Sequence, residues 1–179
     1  MPHVSRNFAL IVAGAVVLLA LIGASFWQVF LGEKSGVADE STFAQEYGLA
    51  FTDYEGKQVL LSSFRREVLV AYVWASWCPY CGGELENLSK LKNTYGDEVQ
   101  IVAINRAEPI GVARAYTSPL SVSGLVLLLD PADAFFKEID GYAMPETVFI
   151  DKGGAVIFHQ RGPMPIDAVK KKIDELLGR

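Results

Sequence analysis

The chain has 179 residues, which fits one domain with an appended segment better than two full domains. It carries 16 basic and 21 acidic side chains and a formal net charge of −5. This acidic balance argues against nucleic acid as a partner and against attachment to an anionic membrane surface through charge. The chain has two cysteines, too few for a secreted domain that depends on a disulfide framework.

The first predicted element is an apolar segment near the N-terminus. Residues 8–31 contain no Asp, Glu, Lys or Arg over 24 residues. At about 1.5 Å per residue, a helix of that length crosses the core of a bilayer. We predict an uncleaved, single-pass signal anchor within residues 1–31. A cleaved signal peptide is the alternative, because Gly36-Val37-Ala38 offers small residues at suitable offsets.

The charges that flank this segment predict its orientation. Arg6 and the α-amino group precede it, whereas Glu33 and Lys34 follow it and cancel. The positive-inside rule therefore places the N-terminus in the cytoplasm and the rest of the chain outside the cytoplasmic membrane. Residues 32–42 are small and polar and predict a linker. The folded domain is then expected at residues 43–179.

Strand-like and helix-like patterns alternate along this domain. Val68–Trp74 has no polar alternation, which predicts a strand buried on both faces. The order of elements predicts an α/β fold, a central mixed sheet flanked by helices, with an antiparallel hairpin at one edge. The predicted strands are 49–52, 57–61, 68–74, 99–104, 125–129, 147–150 and 156–159. The predicted helices are a short turn at 62–65 and longer segments at 79–95, 108–116, 133–139 and 166–177.

Cys78 and Cys81 come directly after the buried strand, where the next helix is predicted to start. A strand that leads a C-x-x-C motif into a helix is typical of a redox site of the thioredoxin type. Two intervening residues let the sulfurs form and break a disulfide with little backbone movement. The helix N-terminus favours the thiolate of Cys78, which is the attacking species in thiol–disulfide exchange.

Three other interpretations of the cysteine pair are weaker. A structural zinc site needs four ligands, and the two histidines, His3 and His159, lie at opposite ends of the chain. A purely structural disulfide that closes so short a loop removes little chain entropy and stabilises weakly. A peroxidase of the peroxiredoxin type would carry Thr three residues before its reactive cysteine, where this chain has Ala75.

Three runs of sequence carry a resemblance to a known family. They are Gly56–Phe64, Val73–Cys81 with Glu84 three residues further on, and Met144–Asp151. With these runs, residues 43–178 resemble the membrane-anchored thioredoxin-like reductases of the TlpA and ResA type and the cytochrome c maturation reductase CcmG, also called DsbE. The resemblance implies a thioredoxin-like fold and a protein-disulfide reductase. It also implies that the redox-active Cys78–Cys81 disulfide works with no other cofactor and no metal.

The resemblance also assigns roles to other residues. The family's proline that matches Pro145 is cis and faces the sulfurs, so Met144 and Pro145 are expected to form one wall of the site; the alternative is an ordinary trans-proline. A cis-proline turns the backbone of the residue before it outward, and that exposed backbone edge can pair with an extended partner chain. Glu84 matches an acidic residue near the disulfide and is expected to relay a proton to or from Cys81. The alternative is an exposed carboxylate paired with Lys90 or Lys92. Further candidates for the wall of the site are Trp77, Pro79, Tyr80 and Glu146.

Four further positions near the C-x-x-C motif give additional expectations about the site. Trp77 is expected to shield Cys78 from water. Cytoplasmic thioredoxins carry a buried Asp six residues before the first cysteine, where this chain has Tyr72, so Glu84 is the natural substitute in the proton relay. Gly82 and Gly83 follow Cys81 and weaken the helix by about 1 kcal/mol each. Their lack of side chains predicts a more open site.

The resemblance implies a membrane-tethered, extracytoplasmic thiol:disulfide oxidoreductase. Its partners would be exported thiol or disulfide proteins, apocytochrome c among them, and a membrane protein that donates electrons. Two alternatives stay open. One is an oxidant that donates disulfides, because the motif does not set the reduction potential. The other is a thioredoxin-like binding module that handles copper, since two thiolates bind Cu(I) and the resemblance places Met144 beside the site. The client, the electron donor and the oligomeric state do not follow from the sequence.

Overall fold

The computed structural model describes residues 49–64 and 67–179. Seven strands and four α-helices follow one another along them. The strands are β1 (Ala50–Asp53), β2 (Gln58–Leu60), β3 (Val68–Trp74), β4 (Val99–Arg106), β5 (Val126–Asp130), β6 (Glu146–Ile150) and β7 (Val156–Arg161). The helices are α1 (Cys81–Tyr95), α2 (Ile110–Thr117), α3 (Ala134–Glu138) and α4 (Ile166–Leu177), with 3-10 turns at Leu61–Phe64 and Gly96–Glu98.

The strands form a single mixed sheet in the order β2-β1-β5-β4-β3-β6-β7. The three inner strands β5, β4 and β3 run parallel to one another. The hairpin of β6 and β7 lies antiparallel beside β3 at one edge, and the hairpin of β1 and β2 lies beside β5 at the other. The predicted mixed α/β architecture and its edge hairpin are therefore confirmed.

The central strand β3 divides the core into two layers. All seven of its residues are buried, and alternate side chains point to opposite faces of the sheet, as the pleat requires. Val68, Val70, Tyr72 and Trp74 join one cluster with residues of α1, α2 and α4. Leu69, Ala71 and Val73 join the other cluster with residues of α3. The continuous apolar run in the sequence follows from this burial on both faces.

Helix α1 begins at Cys81, two residues later than the sequence predicts. The residues before it form a turn in which the Cys81 N–H donates to the Cys78 carbonyl at 3.3 Å. The first helical bond follows, from the Glu84 N–H to the Tyr80 carbonyl at 3.3 Å. The chain thus enters α1 through a tighter i to i+3 turn, a common arrangement at helix ends. Pro79 lies in that turn and needs no N–H there.

The predicted signal anchor at residues 1–31 and the linker at 32–42 lie outside the described residues. Within residues 49–64 and 67–179, no helix combines the length and the apolar character needed to cross a bilayer.

The two glycines at the start of α1 have different surroundings. A Cβ atom at Gly82 would lie 3.0 Å from the hydroxyl oxygen of Tyr116, whereas a Cβ atom at Gly83 would have no other group within 4 Å. The Tyr116 ring stacks on Trp74 with ring centroids 5.5 Å apart. The predicted opening is therefore not found at Gly82, because Tyr116 occupies the space that a side chain would take.

We predict that Gly83→Ala raises the free energy of unfolding by about 1 kcal/mol, because alanine replaces glycine inside a helix without a steric conflict. Gly82→Ala is the matched variant, and its gain should be smaller or absent because the new methyl group crowds the Tyr116 hydroxyl. Urea denaturation of the two variants measures both effects. An equal gain at both positions would contradict the close approach of Tyr116 to α1.

Candidate active site

The two cysteines form a disulfide with their Cα atoms 5.5 Å apart. They lie in the turn that connects the central strand β3 to α1. Cys78 is 1% exposed and Cys81 is fully buried, while the neighbouring Trp77 and Tyr80 are 63% and 58% exposed. Pro79 is also exposed. The two cysteines are thus buried, while three side chains next to them in the sequence, those of Trp77, Pro79 and Tyr80, are exposed. That Trp77 shields Cys78 stays a prediction.

A cis peptide bond between Met144 and Pro145 lies at the end of the sheet where β3 leads to the cysteines. The cis geometry is the one that the family resemblance implies. Pro145 directly precedes β6, and the first residue of β6, Glu146, pairs with Val73 near the end of β3. Met144 packs against the apolar cluster that contains both cysteines. The strand register therefore brings the Met144–Pro145 segment to the loop that carries Cys78.

Glu146 fixes the Met144–Pro145 segment from the interior of the protein. Its carboxylate is fully buried. One oxygen accepts the backbone N–H groups of Tyr142 and Ala143, at 2.8 and 2.7 Å, and the other lies 2.8 Å from Nε2 of His159 on β7. Since both oxygens are engaged inside the protein, Glu146 supports the wall of the site and does not present its carboxylate at the surface.

Glu84 lies on α1, one short turn after Cys81, and is half-buried. Its Oε1 accepts the backbone N–H of Met164 at 3.0 Å. Burial raises the pKa of Glu84, and the Met164 N–H and the nearby Tyr72 hydroxyl oppose that rise. A carboxyl group whose pKa is shifted toward neutrality is suited to exchange protons.

Neither of the lysines that the sequence offers as partners binds Glu84. The ammonium group of Lys90 donates to the side-chain oxygen of Asn87 at 3.3 Å. That of Lys92 donates to the carbonyl groups of Gly96 and Val99 at 2.7 and 3.0 Å. The alternative of an exposed, lysine-paired carboxylate at Glu84 is therefore wrong.

Glu108 is a site residue that the sequence interpretation missed. Its carboxylate accepts the backbone N–H of Ser76 at 2.9 Å and the Ser76 hydroxyl at 2.5 Å. It also accepts the side-chain amide of the buried Asn105 at 2.7 Å. Ala107, just before it, has a positive φ of 54°, which turns the chain sharply after β4. Glu108 thus fastens the loop before Cys78 to the end of the neighbouring strand.

The sequence held only part of the signal for this contact, because it does not show that β3 and β4 are neighbours. Parallel neighbouring strands bring their carboxyl ends to the same edge of a sheet, where sites of α/β proteins form. Trp74 at the end of β3 pairs in register with Asn105 near the end of β4. A polar residue shortly after β4 is therefore expected to meet the loop after β3, once the two strands are known to be neighbours.

A buried C-x-x-C disulfide at the end of a central strand, beside a cis-proline, defines a thiol:disulfide oxidoreductase with a thioredoxin-like fold. The chain belongs to the Redoxin family, whose family profile matches residues 37–177. Its chemistry uses the redox-active Cys78–Cys81 disulfide.

Individual relatives agree with this family. The chain is 28% identical over 162 residues to the thiol-disulfide oxidoreductase ResA of Geobacillus kaustophilus, an alignment that covers 90% of this chain and 91% of the relative. It is 28% identical over 117 residues to the thiol:disulfide interchange protein DsbE of Allochromatium vinosum, with coverage of 63% and 61%. The protein is therefore a thiol:disulfide oxidoreductase of the ResA and DsbE type.

A solved structure shows the same fold. The exposed lipoprotein thioredoxin Etrx1 of Streptococcus pneumoniae superposes with a TM-score of 0.65 at 22% sequence identity. The match covers 71% of this chain and 98% of that one.

We predict that Glu108→Ala lowers the free energy of unfolding by about 1–3 kcal/mol, because it leaves the Asn105 amide and the Ser76 N–H without their acceptor. Amide hydrogen exchange at Ser76 should also become faster. Glu55→Ala, at an exposed position, is the control and should change stability by no more than about 0.5 kcal/mol. An unchanged exchange rate at Ser76 would show that Glu108 does not hold the loop.

Proposed function

We propose that this oxidoreductase is tethered to the cytoplasmic membrane by residues 1–31 and reduces disulfides of exported proteins on the extracytoplasmic side. The observation that carries the proposal is the Cys78–Cys81 disulfide at the end of β3, beside the cis bond at Met144–Pro145. This arrangement supports exchange with a second protein, because the pair follows the carboxyl end of the central strand β3 and lies next to exposed side chains.

The proposed reaction has two exchange steps. The thiolate of reduced Cys78 attacks a sulfur of the client disulfide, forms a mixed disulfide and releases one client thiolate. The Cys81 sulfur then attacks Cys78, and the second client thiolate leaves. Two electrons pass to the client and the Cys78–Cys81 bond is restored. A membrane protein that donates two electrons would reduce the pair again for the next cycle.

Glu84 would serve the second step of this reaction. Cys81 must lose its proton before it attacks, and Glu84 lies one helical turn away on the same face of α1. The raised pKa of the Glu84 carboxyl makes it a better proton acceptor than an ordinary exposed glutamate. The Cys81 proton then passes to a Glu84 oxygen as the new disulfide forms.

An extended segment of the client would bind along the cis-proline loop. Glu146 fixes the Tyr142 and Ala143 backbone from inside, which leaves Met144 beside the cis bond as the contact residue. The exposed Trp77 and Tyr80 would contact the client next to the sulfur that it attacks. Backbone pairing of this kind accepts many sequences, with side chains adding selectivity.

Apocytochrome c is the client that we propose. The run Pro145-Glu146-Thr147 resembles the cytochrome c maturation branch of the family, and a relative carries the name DsbE. The haem attachment motif Cys-x-x-Cys-His needs two free thiols, so a disulfide between them must be reduced before haem is attached. Disulfide donation is the second candidate, because the same pair supports exchange in either direction.

We expect Cys81→Ser to accumulate a mixed disulfide with an oxidised Cys-x-x-Cys-His peptide, because Cys78 can attack but the resolving thiol is missing. Cys78→Ser is the matched control and should form little of this adduct. Acid quenching, alkylation and mass spectrometry of the intact full-length protein measure the product. An adduct that forms equally in both variants would contradict the assignment of Cys78 as the attacking cysteine.

The same peptide determines the direction of the wild-type reaction. Reduced protein mixed with oxidised peptide should give reduced peptide and an oxidised pair, with an equilibrium that corresponds to a potential near or below about −270 mV. A potential near about −120 mV would instead support disulfide donation.

We expect the full-length protein to stay in the membrane fraction after washing with alkaline carbonate, because residues 8–31 are long and apolar enough to span the bilayer. Protease added outside intact spheroplasts should digest the C-terminal domain. A chain that lacks residues 1–31 is the control and should be recovered in the soluble fraction. Protection of the full-length domain from external protease would contradict the proposed orientation.

A further inference from the structure

A small cavity lies between α1, β3, β6 and the segment that leads into α4. About 10 Å³ of it is open to the centre of a water molecule, which is room for about one water. Its polar lining comes from Tyr72 on β3, Glu84 and Asn87 on α1 and Thr147 on β6, and Met164 lines it from the segment before α4. Three of the elements that form the active site thus meet at this cavity.

Tyr72 places a buried hydroxyl at this cavity. The residue is 1% exposed, and within residues 49–64 and 67–179 its hydroxyl has no hydrogen-bond partner of standard geometry. The hydroxyl and the Glu84 carboxyl are nevertheless close enough for each to shift the pKa of the other. Buried hydroxyl groups in proteins are nearly always hydrogen-bonded to protein or to water. The Tyr72 hydroxyl is therefore expected to donate to Glu84, directly or through one water.

Tyr72 is connected to both the cis-proline segment and the cysteine pair. It pairs with Thr147, two residues after the cis-proline, and its ring lies in the cluster that contains both cysteines. It stands six residues before Cys78, where cytoplasmic thioredoxins carry a buried Asp. Burial, followed by the Glu84 charge, raises the pKa of Tyr72 far above its ordinary value. Tyr72 therefore stays neutral and keeps its hydroxyl proton, which it can donate in a hydrogen bond.

We propose that Tyr72 is a positioning residue for the resolving step: through its hydroxyl and one water in this cavity, it orients the Glu84 carboxyl toward Cys81. This proposal rests on the role of Glu84 in the proposed exchange reaction. During that step the Cys81 S–H bond breaks, a Glu84 O–H bond forms, and the Cys81 sulfur bonds to Cys78 as the client thiolate leaves. Tyr72 gives up no proton. Its hydrogen bond stabilises the Glu84 carboxylate, which receives the Cys81 proton.

The sign of the expected pH effect follows from this arrangement. A donor to the carboxylate lowers the pKa of Glu84 against the rise that burial causes. Two other groups act on the pair: the Met164 N–H donates to Glu84, and Tyr116 on α2 acts on Tyr72. Thr147 and Asn87 are the other polar residues that line the cavity. Removing the Tyr72 hydroxyl leaves these groups in place and raises the pKa of Glu84. Because Glu84 accepts a proton only when ionised, the resolving step then needs a higher pH.

The test is Tyr72→Phe in the full-length protein, since phenylalanine keeps the ring and removes one oxygen. We expect the titration midpoint of the Glu84 carboxyl, followed by carbon-13 NMR and assigned with Glu84→Gln, to move upward by on the order of one pH unit. The pH profile of peptide reduction should move in the same direction. The double variant Tyr72→Phe/Glu84→Gln should have the same profile as Glu84→Gln alone.

Tyr95→Phe is the matched control. It removes the same atom from a tyrosine at the far end of α1, whose hydroxyl donates to Asp174 at 2.6 Å, and it should leave the Glu84 midpoint unchanged. A crystal structure of the wild-type protein should show the Tyr72 hydroxyl bonded to Glu84 through a water.

Three results would overturn the proposal. They are an unchanged Glu84 midpoint in Tyr72→Phe, an equal shift in Tyr95→Phe, and a Tyr72 hydroxyl in the crystal that contacts neither water nor Glu84. If Glu84→Gln leaves the pH profile unaltered, the proton transfer to Glu84 fails and this proposal fails with it. The exchange function is tested separately, because the mixed disulfide of Cys81→Ser does not depend on Glu84.

Discussion

The pairing of β3 with β6 is the interaction on which the active site depends. Its register sets Val73 opposite Glu146 and Tyr72 opposite Thr147. One end of β3 leads to the cysteines and the start of β6 follows the cis-proline, so this register alone brings the two segments together. A slip of one residue would turn Tyr72 to the other face of the sheet and exchange the two core layers. Burial of β3 on both faces makes such a slip very unfavourable.

Two carboxylates then hold the loops that this register brings together. Glu108 fastens the segment before Cys78, and Glu146 fastens the segment before Pro145. Glu108 accepts the N–H and the hydroxyl of Ser76 in its loop and the side-chain amide of Asn105 on β4. Glu146 accepts two backbone N–H groups of its loop and contacts His159 on β7, so each loop is joined to the rigid sheet. In the proposed reaction neither carboxylate touches a sulfur. Their contribution is to keep the reacting groups in place, which a site on loops requires.

A third carboxylate has a different environment and a different proposed task. Among residues 49–64 and 67–179, Glu84 has a single backbone donor, Met164, and it lines the same cavity as Tyr72. With less stabilisation of its charge, burial raises its pKa. The contrast between a fully engaged Glu146 and an incompletely engaged Glu84 explains why one suits support and the other suits proton exchange. The Tyr72 hydroxyl would tune that balance.

By itself, the sequence determined the α/β class, the buried strand β3 and the redox pair Cys78 and Cys81, because these depend on short-range periodicity and on motifs of a few residues. The resemblance to a known family added the cis-proline candidate. It also indicated Glu84, which is one turn from Cys81 on the same helix. The tertiary structure alone decided the partners: Glu108 meets Ser76 across 32 residues and Glu84 meets Met164 across 80. It also decided that Tyr116 occupies the space beside Gly82, and that Glu146 is buried against His159. Such contacts follow from which strands are neighbours and in what register, and neither can be read from local spacing.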